Sequence, residues 1–491
     1  MKRIQILALF VSVEVSFSAA AQNHYSLTYE RFLDRDETAL AVLGTVKSSH
    51  SDPAAQSRWS VGCECLDRDM AVFENYKTYV GELGVGYARV QSGWAKCEKQ
   101  KGKYDFGWLD AIVDGLIAQG VRPWMCLCYG NPVYGAAEGL GGAVFSDKPT
   151  LEAWGRYVRE VCRRYKGKVS MYEVWNEPCL GSGVKYASAY ASIFCTTVSA
   201  IRAEDKDVAI AGLSLSGSIP ADFTRQAVEG IRKGGKLHEM KYVTYHPYAE
   251  NPDFGEVGYR NLRSLLDEIC PSAQILQGEA GCPANLEYVH ALNYFEWSEY
   301  SKAKWDIRQM ATHFRLGVPA SIFTMVDLRY KNIQQSFGML RCNLLGEVIY
   351  KRPSFHAVQN MVALLPCAVS AGRTLEMAEG VVCTEILKDG RAVGIMYYRN
   401  LDIPSSSLHK DRISAVIKGF GGFNGAPVLV DPITGRVYDA GECILFNSTS
   451  DGGTAVSHLP LWDSPLFLLE PDAFLWAPSG TGRKEIDKDL I

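Results

Sequence analysis

Histidine is scarce in this chain, nine among 491 residues. No group of His, Cys and carboxylates shows the spacing of a metal site, so no metal is expected. No glycine-rich turn follows the first strand-like run, which argues against a phosphate or dinucleotide site. No Ser-centred elbow points to acyl transfer. Positive charge is not in excess: 51 Lys and Arg against 55 Asp and Glu leave a net charge of −4. That gives nucleic acid no electrostatic footprint and suits a neutral substrate. The apolar run Ile4–Phe17 is too short for a spanning helix, so membrane insertion is not expected.

Lys2 and Arg3 precede that run and Ala19-Ala20-Ala21 follows it, although Glu14 interrupts its pattern. This order reads as a signal peptide over 1–21 and predicts a periplasmic or secreted mature chain. Fourteen cysteines invite a disulfide reading, but Cys63 and Cys65, like Cys126 and Cys128, sit two apart in apolar runs. In a strand each such pair shares a face and is poorly placed to bridge. Buried small hydrophobes are expected instead, with one or two bridges elsewhere left open.

The length suits a barrel of about 250–300 residues plus a second module of about 100. Over 58–365, short apolar runs alternate with longer amphipathic ones, the pattern of repeated βα units. The strand candidates are Trp59–Cys65, Tyr87–Ser92, Arg122–Tyr129, Ser170–Trp175, Val208–Leu215, Tyr242–Tyr245, Gln274–Gln277 and Ala320–Met325. Helical patterns such as Leu151–Tyr165, Tyr186–Ala203 and Ser298–Leu316 lie between them. Eight such units predict an α/β fold of the closed (β/α)8 TIM barrel type. Over 366–477 the strands are short and separated by turns, with no room for crossover helices. An antiparallel β-sandwich is expected there. Residues 22–57 either add strands to that module or cap the barrel, and 478–491 read as a polar tail.

Two strand ends carry carboxylates. Tyr172-Glu173-Val174-Trp175-Asn176-Glu177-Pro178 ends an apolar run in Asn-Glu-Pro, where proline stops the ladder and leaves Glu177 at the strand's C-terminal mouth. Gln274-Ile275-Leu276-Gln277-Gly278-Glu279-Ala280-Gly281 places Glu279 at the seventh strand end, with Gly278 and Gly281 leaving room for close approach. Strands four and seven face each other across a barrel mouth, so the two carboxyls can flank one glycosidic bond.

Further motifs accompany them in order: Trp94, Glu98, Gly102, Tyr104-Asp105-Phe106 and Asp110; His246-Pro247-Tyr248; Phe323-Thr324-Met325-Val326-Asp327; and Ser336-Phe337-Gly338-Met339. With Asn176-Glu177 and Glu279, these make Trp59 to Met361 resemble clan A of the glycoside hydrolases, most closely family 39. The resemblance implies Glu177 as acid/base, Glu279 as nucleophile and Asn176 as donor to the sugar 2-hydroxyl. Phe323 stands where the clan usually has Trp beneath the sugar, which leaves substrate identity open.

Arg89 is a charge inside an apolar strand and needs a partner. Either it holds Glu279 ionised, or it pairs with a structural acid. Tyr248 is expected to hydrogen-bond the nucleophile, and His246 either touches substrate or is a satisfied core histidine. Trp94 and Asn131, with Trp124, Trp175, Tyr129 and Tyr134, are expected as ordinary core or as walls of a sugar site. Asp67, Asp327 and Arg341 rank lower.

The expected chemistry is double displacement on an oligo- or polysaccharide, without a cofactor. Three long connections, Gly130–Thr150, Cys282–Trp297 and Leu328–Tyr350, favour a walled pocket and exo action. An endo-acting glycanase, a transglycosylase or a non-catalytic carbohydrate-binding barrel are the alternatives.

Overall fold

The computed structural model describes residues 40–141, 144–180, 183–217, 219–403, 410–448 and 452–479. The signal-peptide reading and nearly all of the polar tail therefore lie outside the described residues.

Strand β1 (Val42–Val46) comes first in the chain and joins the C-terminal module described below. Eight parallel strands then close into a barrel: β2 (Trp59–Gly62), β3 (Tyr87–Gln91), β4 (Arg122–Leu127), β5 (Met171–Val174), β6 (Ala209–Ser216), β7 (Tyr242–His246), β8 (Gln274–Ala280) and β9 (Ala320–Ile322). Strand β9 pairs back onto β2, with Trp59 opposite Ala320. Each observed strand overlaps one of the eight apolar runs. Closure buries both faces, which is why these strands read as near-continuous apolar runs.

Nine helices are seen among the described residues: α1 (Lys77–Glu82), α2 (Trp94–Cys97), α3 (Gly107–Ala118), α4 (Lys148–Tyr165), α5 (Ala187–Glu204), α6 (Ala221–Lys233), α7 (Gly255–Ile269), α8 (Glu299–Leu316) and α9 (Pro353–Leu364). Their ends follow local chemistry. Asp147 caps α4 by accepting from the Thr150 N–H at 3.0 Å. Ser298 and Ser301 form a reciprocal cap at the start of α8, and Gly317 ends it in the left-handed conformation.

The barrel interior is stacked in layers. Low down, Trp124 packs with Met171 and Ala211, and its indole donates to the Ser60 hydroxyl at 3.0 Å. The Arg89 guanidinium lies over the Trp124 ring, 5.5 Å from its centroid. Above the apolar layer the interior turns polar, and the site begins there. Trp124 is thus the floor of the polar layer, not a sugar-stacking wall.

Two short hairpins follow the last barrel strand, β10 (Leu328–Arg329) with β11 (Gln334–Gln335) and β12 (Leu340–Cys342) with β13 (Val348–Lys351). The C-terminal module is a two-sheet sandwich. Its larger sheet contains β14 (Val369–Thr374), β15 (Val381–Lys388), β16 (Arg391–Arg399), β22 (Leu466–Leu469), β18 (Val428–Asp431), β19 (Arg436–Asp439), β1 and β23 (Trp476–Pro478), in that spatial order. The smaller sheet is β17 (Lys410–Ile417), β21 (Thr454–Trp462) and β20 (Ile444–Ser448). Tyr397, Leu429 and Leu468 of one sheet pack with Ile417, Leu459 and Leu461 of the other. Residues 40–57 serve both roles left open by the sequence. Strand β1 extends the sandwich, while the Ser51 hydroxyl donates to Gly81 and Val85 carbonyls beneath the barrel. All fourteen cysteines are free thiols; Cys126 and Cys128 lie 3.8 Å apart, sulfur to sulfur.

Helix α8 is wedged between barrel and sandwich, with Lys302, Lys304, Asp306 and Arg308 fully buried. Each finds a countercharge: Lys302–Asp306 at 3.0 Å, Lys304–Asp463 at 2.7 Å and Arg308–Asp253 at 2.5 Å.

Candidate active site

Arg89 organises the barrel mouth. It enters from the middle of β3, is fully buried, and spends its donors on four acceptors. Its Nε donates to Glu173 at 2.8 Å, and Nη2 to the Asn176 amide oxygen at 2.7 Å. Its Nη1 donates both to Glu279, at 2.7 Å, and to Glu64, at 3.2 Å. Both sequence alternatives for Arg89 are therefore present at once. It pairs with a wholly buried acid, Glu173, and it also holds Glu279. Glu173 is satisfied on its other side by the Thr244 hydroxyl.

Glu279 lies near the end of β8. The Tyr248 hydroxyl donates to its second oxygen at 2.8 Å. Burial alone pushes this carboxyl's pKa up. The charges of His246 and Arg89 and the hydrogen bonds from Tyr248 and Arg89 outweigh that, and the net pKa falls below the ordinary value. Glu279 is thus held as the anion. Gly281 lets β8 reach the end of β9: a Cβ there would sit 1.7 Å from the Phe323 carbonyl oxygen.

Glu177 arrives from β5 through a sharp turn. Trp175 and Glu177 both adopt left-handed backbone, with φ of 67° and 48°, a conformation uncommon outside glycine. The Glu177 N–H is held by the Ser214 carbonyl at 3.1 Å. Its carboxylate meets His246 Nδ1 at 2.8 Å, with the shared proton on either partner according to tautomer. His246 Nε2 faces the Ser214 hydroxyl at 3.3 Å. Burial pushes the His246 pKa down, but Glu279's charge and Glu177's hydrogen bond and charge raise it above the usual value. His246 is therefore neither a plain core histidine nor a free substrate ligand; it bridges toward both carboxylates.

The side chains of Glu177 and Glu279 keep 10% and 12% of their surface open, while Arg89 and His246 keep none. One oxygen from each carboxylate and a ring nitrogen of His246 all lie within 4.8 Å of one another. Among the described residues, that trio has the geometry to hold a divalent ion.

Several expected contacts fall elsewhere. Trp94 is not at the surface of the site: it is fully buried, stacked between Tyr134 at 5.2 Å and Tyr157 at 5.8 Å, and its indole donates to Glu98 at 2.6 Å. Asn131 is likewise turned inward, donating to the Glu98 carbonyl at 2.8 Å and accepting from the Val133 N–H at 3.0 Å. Asn176 is buried, giving its oxygen to Arg89 and its amide hydrogens to the Tyr129 hydroxyl at 2.9 Å. Phe323 lies edge-on to Tyr248, 6.4 Å between centroids, and to Phe337 at 5.8 Å. Asp327 is a structural acid, paired with Arg352 at 2.7 and 3.0 Å, with Arg341 3.4 Å away.

Glu64, Glu173, Thr244 and Ser214 were missed as members of this network. Glu173 was discoverable, because the argument applied to Arg89 holds equally for a charge inside the apolar run of β5. Glu64, between Cys63 and Cys65, carried the same signal. Burial pushes the Glu64 pKa up to about 8, against the charge of Arg89 and helped by that of Glu279.

With this geometry in hand, the relatives are informative. A family 39 glycoside hydrolase from Bacteroides cellulosilyticus WH2 superposes with a TM-score of 0.64 at 16% identity, covering 86% of this chain and 82% of that one. In fold, this chain is similar to a family 39 glycoside hydrolase. A monomeric beta-xylosidase from Caulobacter crescentus CB15 superposes with a TM-score of 0.55 at 19% identity, over 88% of this chain and 98% of that one. In sequence, residues 64–132 match the glycoside hydrolase 42 family model, described as beta-galactosidase. A 6-phospho-beta-glucosidase from Dickeya chrysanthemi is 26% identical over 139 residues, 26% of this chain. The match spans 28% of that relative's length.

Proposed function

We propose that the protein is a retaining glycoside hydrolase that removes terminal sugars from oligo- or polysaccharides. The observation that carries this reading is the pair Glu177 and Glu279. One oxygen of each lies within 4.8 Å of one oxygen of the other across a barrel mouth, one carboxylate gripped by Arg89 and Tyr248, the other bonded to His246. Retaining enzymes hold their carboxyls about 5–5.5 Å apart, too close for a water to attack directly, whereas inverting enzymes need about 6.5–9.5 Å.

In the proposed reaction Glu279 attacks the anomeric carbon, forming a covalent glycosyl ester. Glu177 delivers its proton to the departing glycosidic oxygen. Glu177 then takes a proton from water, which attacks the same carbon and releases the sugar with its configuration retained. Arg89 and Tyr248 keep the nucleophile ionised between turnovers. His246, through its Nδ1 contact, orients the Glu177 carboxyl at the mouth. Asn176 is oriented by Arg89 and Tyr129, so its carbonyl and amide ends are fixed at the mouth.

Exo action is part of the proposal and rests on the long loops that follow β4, β8 and β9. Export through residues 1–21 is a further part, checked by amino-terminal sequencing of protein from the native host. The enzymatic core is tested by screening 4-nitrophenyl α- and β-glycosides of the common hexoses and pentoses. One or a few should be cleaved, with retained configuration in the first-formed product by proton NMR; inactivity across the panel counts against it.

A second reading has its own observation, since Glu177, His246 and Glu279 could hold a divalent cation. Dialysis against EDTA separates the two. Glycoside cleavage persists under the proposal and is lost if that trio works as a metal centre.

A further inference from the structure

The loop that follows β8 displays two tyrosines to solvent. Tyr288 and Tyr294 are 61% and 70% exposed. Their rings meet edge to face, 5.8 Å between centroids and at 73°. Leu286 and Val289 beside them are exposed as well. An apolar surface of this kind is usually small on a free protein unless something covers it.

The loop beneath is built rather than slack. Glu287, buried within the loop, accepts from the Ser336 N–H at 2.5 Å and its hydroxyl at 2.7 Å. The Glu287 carbonyl accepts from the Tyr294 N–H at 2.8 Å, closing the loop on itself. Trp297 pins the far end by donating to the Leu292 carbonyl at 2.8 Å. His290, Leu292 and Tyr294 all take left-handed backbone, with φ of 73°, 58° and 64°. Non-glycine residues adopt that conformation only where surrounding contacts enforce it.

The loop is also braced against the connection that follows β9. His290 packs against Tyr330 with ring centroids 4.5 Å apart. Tyr330 is itself half-buried. The loop follows directly from the C-terminal end of β8, the strand that carries Glu279, so Tyr288 and Tyr294 belong to the same barrel mouth as the carboxylate pair.

We propose that Tyr288 and Tyr294 form an additional sugar-binding subsite, which stacks on a sugar unit of the same substrate chain beyond the one held between Glu177 and Glu279. Tyrosine suits this role: it offers a rigid, amphipathic face at low entropic cost, with a hydroxyl that stays wet. Two rings set at 73° present two faces, so the ledge guides a chain around a bend rather than along a flat strip. This inference rests on the glycosidase reading, and the test below keeps their failures apart.

The experiment compares the full-length protein with the double variant Tyr288→Ala/Tyr294→Ala and with Tyr288→Phe/Tyr294→Phe. Substrates are the nitrophenyl monosaccharide found active and the tetrasaccharide of the same sugar. The alanine variant should raise KM on the tetrasaccharide about tenfold, with kcat and monosaccharide kinetics within about twofold of wild type. The phenylalanine variant should restore most of the loss. Unchanged tetrasaccharide KM in the alanine variant, with the wild type active, overturns the subsite and leaves the glycosidase reading standing. An equal loss on both substrates also overturns it, since that reports damage to the loop. If the wild type cleaves no glycoside, the glycosidase reading fails. The subsite is then judged by calorimetric titration with cellotetraose, xylotetraose and mannotetraose. Binding weakened in the alanine variant supports it, and absence of binding to all three overturns it.

Discussion

At the scale of single residues, the site is one buried cation and the groups that compete for it. Arg89 cannot be removed without stranding Glu173, which has no solvent to turn to. Glu177 is the residue whose role separates most cleanly. Glu177→Ala should slow hydrolysis of glycosides with poor leaving groups by about 100-fold or more. Activated aryl glycosides should still form the intermediate, and added azide should restore turnover with retained configuration. Equal loss on both substrate types, without azide rescue, contradicts the assignment. Glu64 supplies a pH dependence. Its pKa is raised from 4.5 in the free group to about 8 in the folded chain, so the fold favours its neutral form. The stability it contributes is fully present below about pH 4.5 and is lost as pH rises through about 8. Glu64→Gln cannot ionise and escapes that loss. Melting temperatures at pH 5 and pH 9 check this: the variant should gain on the wild type at the higher pH. An unchanged gap between the two proteins would show that Glu64 does not ionise in that range.

At the scale of elements, the βα alternation was legible because closure makes every barrel strand an apolar run bounded by turns. Glu177 and Glu279 were legible because nothing in packing explains a carboxylate at a strand's mouth. Other features were hidden. Trp94 and Asn131 sit beside the mouth in sequence, yet both turn inward toward Glu98: Trp94 is stacked between the Tyr134 and Tyr157 rings, and Asn131 is held by the Glu98 carbonyl. Strand β21 was hidden because Ser457, His458 and Pro460 interrupt its apolar pattern. Helix α8 was visible, but its burial was not, because nothing in the local pattern of Lys302, Lys304, Asp306 and Arg308 shows that their charges are paired in the interior. Their partners come from outside the helix for Lys304 and Arg308, namely Asp463 and Asp253. Breaking such a pair strands a charge. Asp463→Ala should cost about 3–5 kcal/mol in urea denaturation, while Lys304→Met combined with Asp463→Leu should recover most of it. Equal losses in the two variants would mean that packing, not the stranded lysine, sets the cost.

At the scale of the whole molecule, the sandwich reaches back to take β1 from the amino-terminal side, and α8 locks it to the barrel through buried ion pairs. The barrel mouth is thereby left to its own loops, of which those after β4, β8 and β9 are long. Walls of that kind favour a terminal sugar over a passing polymer. Early products from an oligosaccharide ladder should be monosaccharide alone; a spread of intermediate oligomers from the first time point would mean an open groove. The central claim is that Glu279 forms a covalent bond to sugar. A 2-deoxy-2-fluoro glycoside of the sugar identified in the screen, carrying a dinitrophenyl leaving group, should trap that ester. Peptide mass spectrometry after inactivation should then find the fluorosugar on the peptide containing Glu279. An active enzyme that carries no label, or carries it on another carboxylate, would contradict the account.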